Sequence, residues 1–267
     1  MIVERDGVAL HVEVAGAGEA VALVHGHTLD LRVWDDLLPA LVRGGWRAIR
    51  YDQRGHGRSA SPPAGYRWCD HAADLAAVLE ATGATPAHLI GLSKGAGIAL
   101  EFALRRPELV ASLVLIAPMV PDYPLSAELV GSFRELARQI RSDGVQPAMR
   151  QAWLAHPLIA SAGALPAVRE RLEAMVLTFP GGEYLATTRD TSDRAWKLVD
   201  RLGEIAARAL VIVGERDISD FHVMARLLTT GLRDARLEVV AASGHLVPLE
   251  RPDETARLVL GFLCTLR

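Results

Sequence analysis

The stretch 87–100, AHLIGLSKGAGIAL, constrains this chain more than any other. Its first part, His88–Leu92, reads as a short apolar strand, and Ala96–Arg105 reads as a helix. Between them lies Gly91-Leu92-Ser93-Lys94-Gly95, a G-x-S-x-G pattern. A strand joined to a helix by so short a link reverses sharply, leaving the serine in a strained conformation with its hydroxyl exposed. Glycine is needed two residues to either side, because a side chain there would collide with a neighbouring strand or helix. The serine also falls at a helix N-terminus, where unpaired N–H groups and the helix dipole favour developing negative charge. The pattern is short, and a glycine-rich βα turn without chemistry would look the same. Its surroundings decide.

Upstream, Asp6-Gly7 joins two strand-like runs, Ile2–Arg5 and Val8–Val14, as a hairpin. Val21–Val24 is apolar throughout, as a buried central strand requires, and runs into His25-Gly26-His27. The spacing predicts a helix over 31–43, a strand over 46–51 and a helix over 68–82. After the elbow comes another buried strand, Leu109–Ile116. From Pro118 to about Arg201 the alternation stops, and only helical segments separated by Pro and Gly are predicted, over 127–141, 147–155, 166–179 and 194–205. It then resumes with a strand over 209–213, a helix over 221–230, a strand over 237–240 and a closing helix over 252–266. Alternating strands and helices argue for a mostly parallel sheet covered on both faces. An eighty-residue structureless loop would be improbable, so the interruption reads as a helical lid.

Composition narrows the function classes. With 267 residues, half of them hydrophobic, the chain can bury one sizeable core. Its 29 basic and 32 acidic residues are interspersed, which argues against a nucleic-acid surface or a basic membrane-binding face. Cys69 and Cys264 form no C-x-x-C pattern, so neither a disulfide framework nor a zinc site is expected, and a reducing, cytoplasmic setting fits. No secretory signal and no apolar run of membrane-spanning length is read from the sequence. No His/Asp/Glu group has metal-ligand spacing, and no metal or cofactor is expected.

Ligands of such sheets bind beyond the carboxyl ends of the strands. His25, His27, Asp52, Ser93, Asp217 and His245 each follow a predicted strand and so gather at that edge. The order Ser93…Asp217…His245 is that of a nucleophile, acid and base in one known arrangement. With His25-Gly26, Asp52-Gln53-Arg54-Gly55-His56-Gly57-Arg58-Ser59, the elbow, Gly214-Glu215-Arg216-Asp217 and Ser243-Gly244-His245 in sequence, the chain resembles the α/β-hydrolase-fold serine hydrolases over nearly its full length. Within that family it looks most like the small-molecule esterases and enol-lactone hydrolases.

The resemblance implies an eight-stranded, mostly parallel sheet flanked by helices, with a helical cap after the sixth strand. The core would comprise residues 1–118 and 202–267 and the cap 119–201. It implies Ser93 as nucleophile, His245 as base and Asp217 as its carboxylate partner, with Asp220 and Glu215 as neighbouring alternatives for the acid. The backbone N–H of Lys94 is expected in the oxyanion hole, and by resemblance the N–H of His27 is the second donor. His25 and the Asp52–Ser59 stretch are expected to be structural. Lys94 departs from the family, where an apolar residue such as Met is common. It is either a solvated side chain or a cation that favours anionic substrates. Substrate contacts are expected from the cap, through Trp153, His156, Met175, Phe179, Tyr184 and Trp196, and from Trp34 in the first crossover.

The implied activity is cofactor-independent hydrolysis of a small carboxylic ester or lactone by a monomer or homodimer. The same triad serves carbon–carbon hydrolysis, acyl transfer or perhydrolysis, and the fold also serves non-catalytic receptors.

Overall fold

A computed structural model describes residues 1–187 and 197–267. Eight strands form one sheet: β1 (Ile2–Arg5), β2 (Val8–Ala15), β3 (Ala20–Val24), β4 (Arg47–Tyr51), β5 (Ala87–Leu92), β6 (Val110–Ile116), β7 (Arg208–Gly214) and β8 (Ala235–Val240). Their order across the sheet is β1-β2-β4-β3-β5-β6-β7-β8. Only the β1–β2 and β2–β4 pairings are antiparallel. Every residue of β3 and β5 is buried, which explains why both read as unbroken apolar runs rather than as alternation. Parallel register aligns Val24 with Gly91, Leu92 with Ile116, Ile116 with Ile212 and Gly214 with Val240. The loops after β3, β5, β7 and β8 therefore leave from one edge of the sheet.

Helices α1 (Leu38–Arg43), α2 (Trp68–Ala81), α3 (Lys94–Arg105), α9 (Ser219–Gly231), α10 (Val247–Glu250) and α11 (Pro252–Cys264) flank the sheet, with α2 packed on α3 and α1 on α11. The helix expected over 31–43 is instead a 3₁₀ turn, Leu31–Trp34, followed by α1. Pro39 has no N–H to continue the ladder and sits in the first turn of α1, where a proline is tolerated.

Between β6 and β7 the chain is helical: α4 (Ala127–Asp143), α5 (Val145–Ala148), α6 (Pro157–Gly163), α7 (Pro166–Leu177) and α8 (Gly182–Leu185). Helix α4 is capped by the Ser126 side chain, which accepts from the Leu129 N–H. The single helix expected over 147–155 is short α5 continued by one wide turn, Met149–Trp153. Neither α6 nor α8 was expected, since each is shorter than the window in which periodicity shows. Of the helix expected over 194–205, residues 194–196 lie outside the described ones, and Leu198–Glu204 is a 3₁₀ helix. No helix among the described residues is long and apolar enough to cross a membrane.

Candidate active site

Strand β5 ends at Leu92, and the next residue turns the chain. Ser93 sits at φ 52° and ψ −114°, a strained backbone for a residue with a side chain. Two flanking close approaches hold it there. A Cβ on Gly91 would lie 2.5 Å from the Gly95 carbonyl, and one on Gly95 would lie 2.0 Å from the Val24 carbonyl oxygen. The two glycines of the motif are thus required by packing of the helix start against β3 and β5. The Ser93 N–H donates to the Ile116 carbonyl at 2.9 Å, pinning the turn to β6.

The loop after β7 delivers Asp217, and the loop after β8 delivers His245. Their side chains are buried, and Nδ1 of His245 lies 2.9 Å from Oδ2 of Asp217. The other Asp217 oxygen accepts the Ile218 N–H at 2.8 Å. A carboxylate on Nδ1 makes that nitrogen the donor and leaves Nε2 as the basic one. The Phe221 ring packs 4.2 Å from the imidazole, centroid to centroid. The alternative acids are engaged elsewhere: Glu215 accepts the Ala242 N–H at 2.8 Å, and Asp220 accepts the Ser126 N–H at 2.7 Å.

Ser93 and His245 line one cavity of about 320 Å³, within the range of small-molecule sites. Among the described residues no hydrogen bond joins the Ser93 hydroxyl to the His245 ring. In unliganded sites such contacts often run long and tighten when substrate binds. His27 and Lys94 line the same cavity, and their backbone N–H groups meet no protein acceptor among the described residues.

The inserted helices supply much of the wall, through Leu125, Phe133, Trp153, Leu158, Ile159, Glu183 and Tyr184. Trp153 and Tyr184 are the expected contacts that reach it, the Trp153 indole N–H held by Thr28 at 2.6 Å, whereas Met175 and Phe179 are buried and do not line it. His156 does not line the cavity. It stacks behind Trp153 at 4.6 Å, bonds the Ser132 hydroxyl at 3.0 Å and caps α6. Trp34 also corrects the expectation: it is fully buried in the hydrophobic core, because its 3₁₀ turn packs against β3, β4 and α10 rather than facing the cavity. Trp196 lies outside the described residues.

His25 and the Asp52–Ser59 loop are scaffolding. His25 donates from Nδ1 to the Gly26 carbonyl and accepts the Gln53 N–H on Nε2, at 2.8 and 2.9 Å. Burial lowers its pKa against the pull of Asp52 and so favours the neutral ring. Asp52 accepts the N–H groups of Leu31 and Arg58, each at 2.8 Å, and Arg54 grips Asp74 through two 2.6 Å bonds.

Lys94 is where sequence reading fell short. Its side chain is neither solvated nor free to act as a bare cation: Nζ donates to Glu183 Oε2 at 2.6 Å, from a nearly buried position. The other Glu183 oxygen lies 2.6 Å from His27 Nδ1, and His27 Nε2 lies 2.8 Å from the Tyr184 hydroxyl. Burial opposes ionisation of Glu183, but Lys94 and His27 overcome it and hold the carboxyl well below its usual range. Proton directions then follow. Ionised Glu183 accepts a hydrogen bond from the His27 Nδ1–H, and with Nε2 unprotonated that nitrogen accepts the Tyr184 hydroxyl. Nothing around Glu183 in the sequence announces this role; the only clue was that a lysine beside a buried turn needs a counter-ion.

His27, His56 and Glu183 bring ligand atoms within 4.8 Å of one another, although they are far apart in the chain. Glu183 is already shared between Lys94 and His27, and both His27 nitrogens are engaged. A cation there would have to displace the Lys94 ammonium, so the donor set fits a resident metal poorly.

The family described as alpha/beta hydrolase fold matches residues 19–252. A Variovorax paradoxus protein, provisionally named carbamate hydrolase RutD, is 33% identical over 95% of this chain and 96% of its own length. Among solved structures, a thermophilic esterase from Thermogutta terrifontis is 25% identical with a TM-score of 0.84, covering 100% of this chain and 98% of that one. The enol-lactonase from Burkholderia xenovorans LB400 superposes equally well, with a TM-score of 0.84 at 22% identity, over 99% of this chain and 100% of that one. Sheet order, elbow and full-length similarity agree, and the chain belongs to the alpha/beta hydrolase fold family.

Proposed function

We propose that this protein is a serine hydrolase that cleaves a small carboxylic ester or lactone through an acyl-enzyme. The observation that carries the reading is the buried Asp217–His245 pair, 2.9 Å apart, opening with strained Ser93 onto a single cavity. A serine hydroxyl is too weakly acidic to attack unaided. His245 Nε2 takes its proton as Oγ attacks the carbonyl carbon, then returns it to the departing alcohol. Asp217 fixes the ring's tautomer and stabilises the imidazolium. The unpaired N–H groups of His27 and Lys94 receive the negative oxygen of the tetrahedral intermediate, and one such donor is worth about 10²–10³ in turnover. Water, activated by the same imidazole, then releases the acid.

The helices between β6 and β7 act in this reading as a cap. Their apolar and aromatic wall excludes water and suits a small or medium acyl group rather than a polymer. A carbamate is the second substrate class to test, because the relative at 33% identity carries that name and its carbonyl yields to the same attack. A panel of p-nitrophenyl esters, lactones and aryl carbamates, with mass-spectrometric trapping of acylated Ser93, tests the proposal. Turnover equal to that of a Ser93→Ala control on every compound would overturn it.

A further inference from the structure

We propose that Lys94 and His71 form a polar subsite that selects acyl groups bearing a second, uncharged oxygen, a ketone or hydroxyl, and refuses carboxylates. The inference rests on the serine-hydrolase reading and names the substrate class within it.

The cavity wall is mainly apolar, yet two polar side chains on it hold unused hydrogen-bonding capacity. His71, on α2, is 1% exposed and lines the cavity, and neither ring nitrogen has a partner. A buried donor or acceptor left unpaired is costly, and that cost is recovered when a ligand supplies the missing partner. Burial, with Lys94 nearby, drives the His71 pKa well down, so the ring offers one donor and one acceptor and no charge. Lys94 has three N–H donors. Glu183 takes one at 2.6 Å, and no other acceptor meets the rest among the described residues.

Charge decides which oxygen fits. The Lys94 cation is already balanced by Glu183, which lines the same cavity. An incoming carboxylate would gain from Lys94 and lose against Glu183 in a poorly hydrated space. A ketone or hydroxyl oxygen accepts from Lys94 without that conflict. A hydroxyl can also donate to His71. The acyl side is within reach, because the N–H proposed to receive the acyl oxygen and the ammonium belong to the same residue.

The test compares p-nitrophenyl levulinate, p-nitrophenyl pentanoate and mono-p-nitrophenyl succinate. The wild-type kcat/KM for levulinate should exceed that for pentanoate at least tenfold, with the succinate slowest. Lys94→Met should bring the levulinate-to-pentanoate ratio close to one, and His71→Leu should lower it severalfold. Glu183→Gln, which frees the cation, should raise succinate relative to levulinate at least tenfold. Binding of the same esters to Ser93→Ala, followed by tryptophan fluorescence, reads the subsite without turnover, so failure of the nucleophile assignment remains distinguishable. A levulinate preference absent in the wild type, or equal in wild type and Lys94→Met by both readouts, would overturn the proposal.

Discussion

The Ser161 hydroxyl, on α6, donates to Glu250 Oε2 at 2.7 Å. The same buried carboxylate accepts the N–H of Gly244 at 2.7 Å and of Leu246 at 3.1 Å, the two residues that flank His245. One side chain therefore grips the His245 loop on both sides and ties it to the inserted helices. Glu250→Ala leaves two buried N–H groups unpaired, each costing about 1–3 kcal/mol. We expect kcat to fall about 10–100-fold with KM little changed, a loss of stability by urea denaturation, and a milder version of both in Ser161→Ala. An unchanged kcat in a folded Glu250→Ala variant would refute the clamp.

Asp217 and Asp220 lie three residues apart, and the geometry assigns them different work. Asp217→Asn presents an amide to His245 and can stabilise the wrong tautomer, which in a comparable triad costs about 10⁴ in kcat. Asp220→Asn disturbs only a backbone cap at Ser126 and should retain activity within about twofold. Steady-state kinetics on the two variants separates them. Comparable losses would show that the acid has been misassigned.

Stability should rise with pH between about 5 and 7. His25, His56 and His71 are buried and held neutral, their pKa values pushed down chiefly by desolvation. Below about 6.5 the unfolded chain binds protons that the folded protein refuses, so each such ring removes up to about 1.4 kcal/mol per pH unit. Glu183 acts in a lower window: its depressed pKa contributes stability above the ordinary carboxylate range that is lost as pH falls below about 4.5. Urea midpoints measured at each pH unit from 3 to 8 check both windows. His71→Leu should flatten the slope below pH 6.5 by about one proton, and a flat wild-type profile would contradict the account.

Glycines of this chain differ widely in what they cost to replace. Gly95→Ala drives a methyl to 2.0 Å from the Val24 carbonyl oxygen, so β3 or the elbow must move. A loss of about 3 kcal/mol or more is expected. Gly261, in α11, has no atom within 4 Å of the corresponding position, and alanine there should stabilise by about 0.5–1 kcal/mol. Thermal or urea unfolding of the two variants gives the comparison.

The strands themselves, and the strand-end loops that carry Ser93, Asp217 and His245, were legible because each depends on local signals. Buried parallel strands are apolar end to end, and a sharp turn demands glycine at fixed offsets, as at Gly91 and Gly95. What was not legible depends on tertiary contacts that leave no periodic trace. Glu183 meets Lys94 across 89 residues, and no neighbour of Glu183 in the chain foretells it. Trp34 looked like a cavity contact by its place in the first crossover, yet its 3₁₀ turn rotates it into the core. The short helices α6 and α8 fall below the length at which a 3.6-residue period can be read.

The central claim is that Ser93 is an activated nucleophile served by His245. Intact-mass analysis after incubation with a fluorophosphonate tests it most directly. The account predicts one adduct per chain, mapped to Ser93, absent in Ser93→Ala and slowed at least a hundredfold in His245→Ala. No adduct on the folded wild-type protein, or equal labelling of the Ser93→Ala variant, would contradict it.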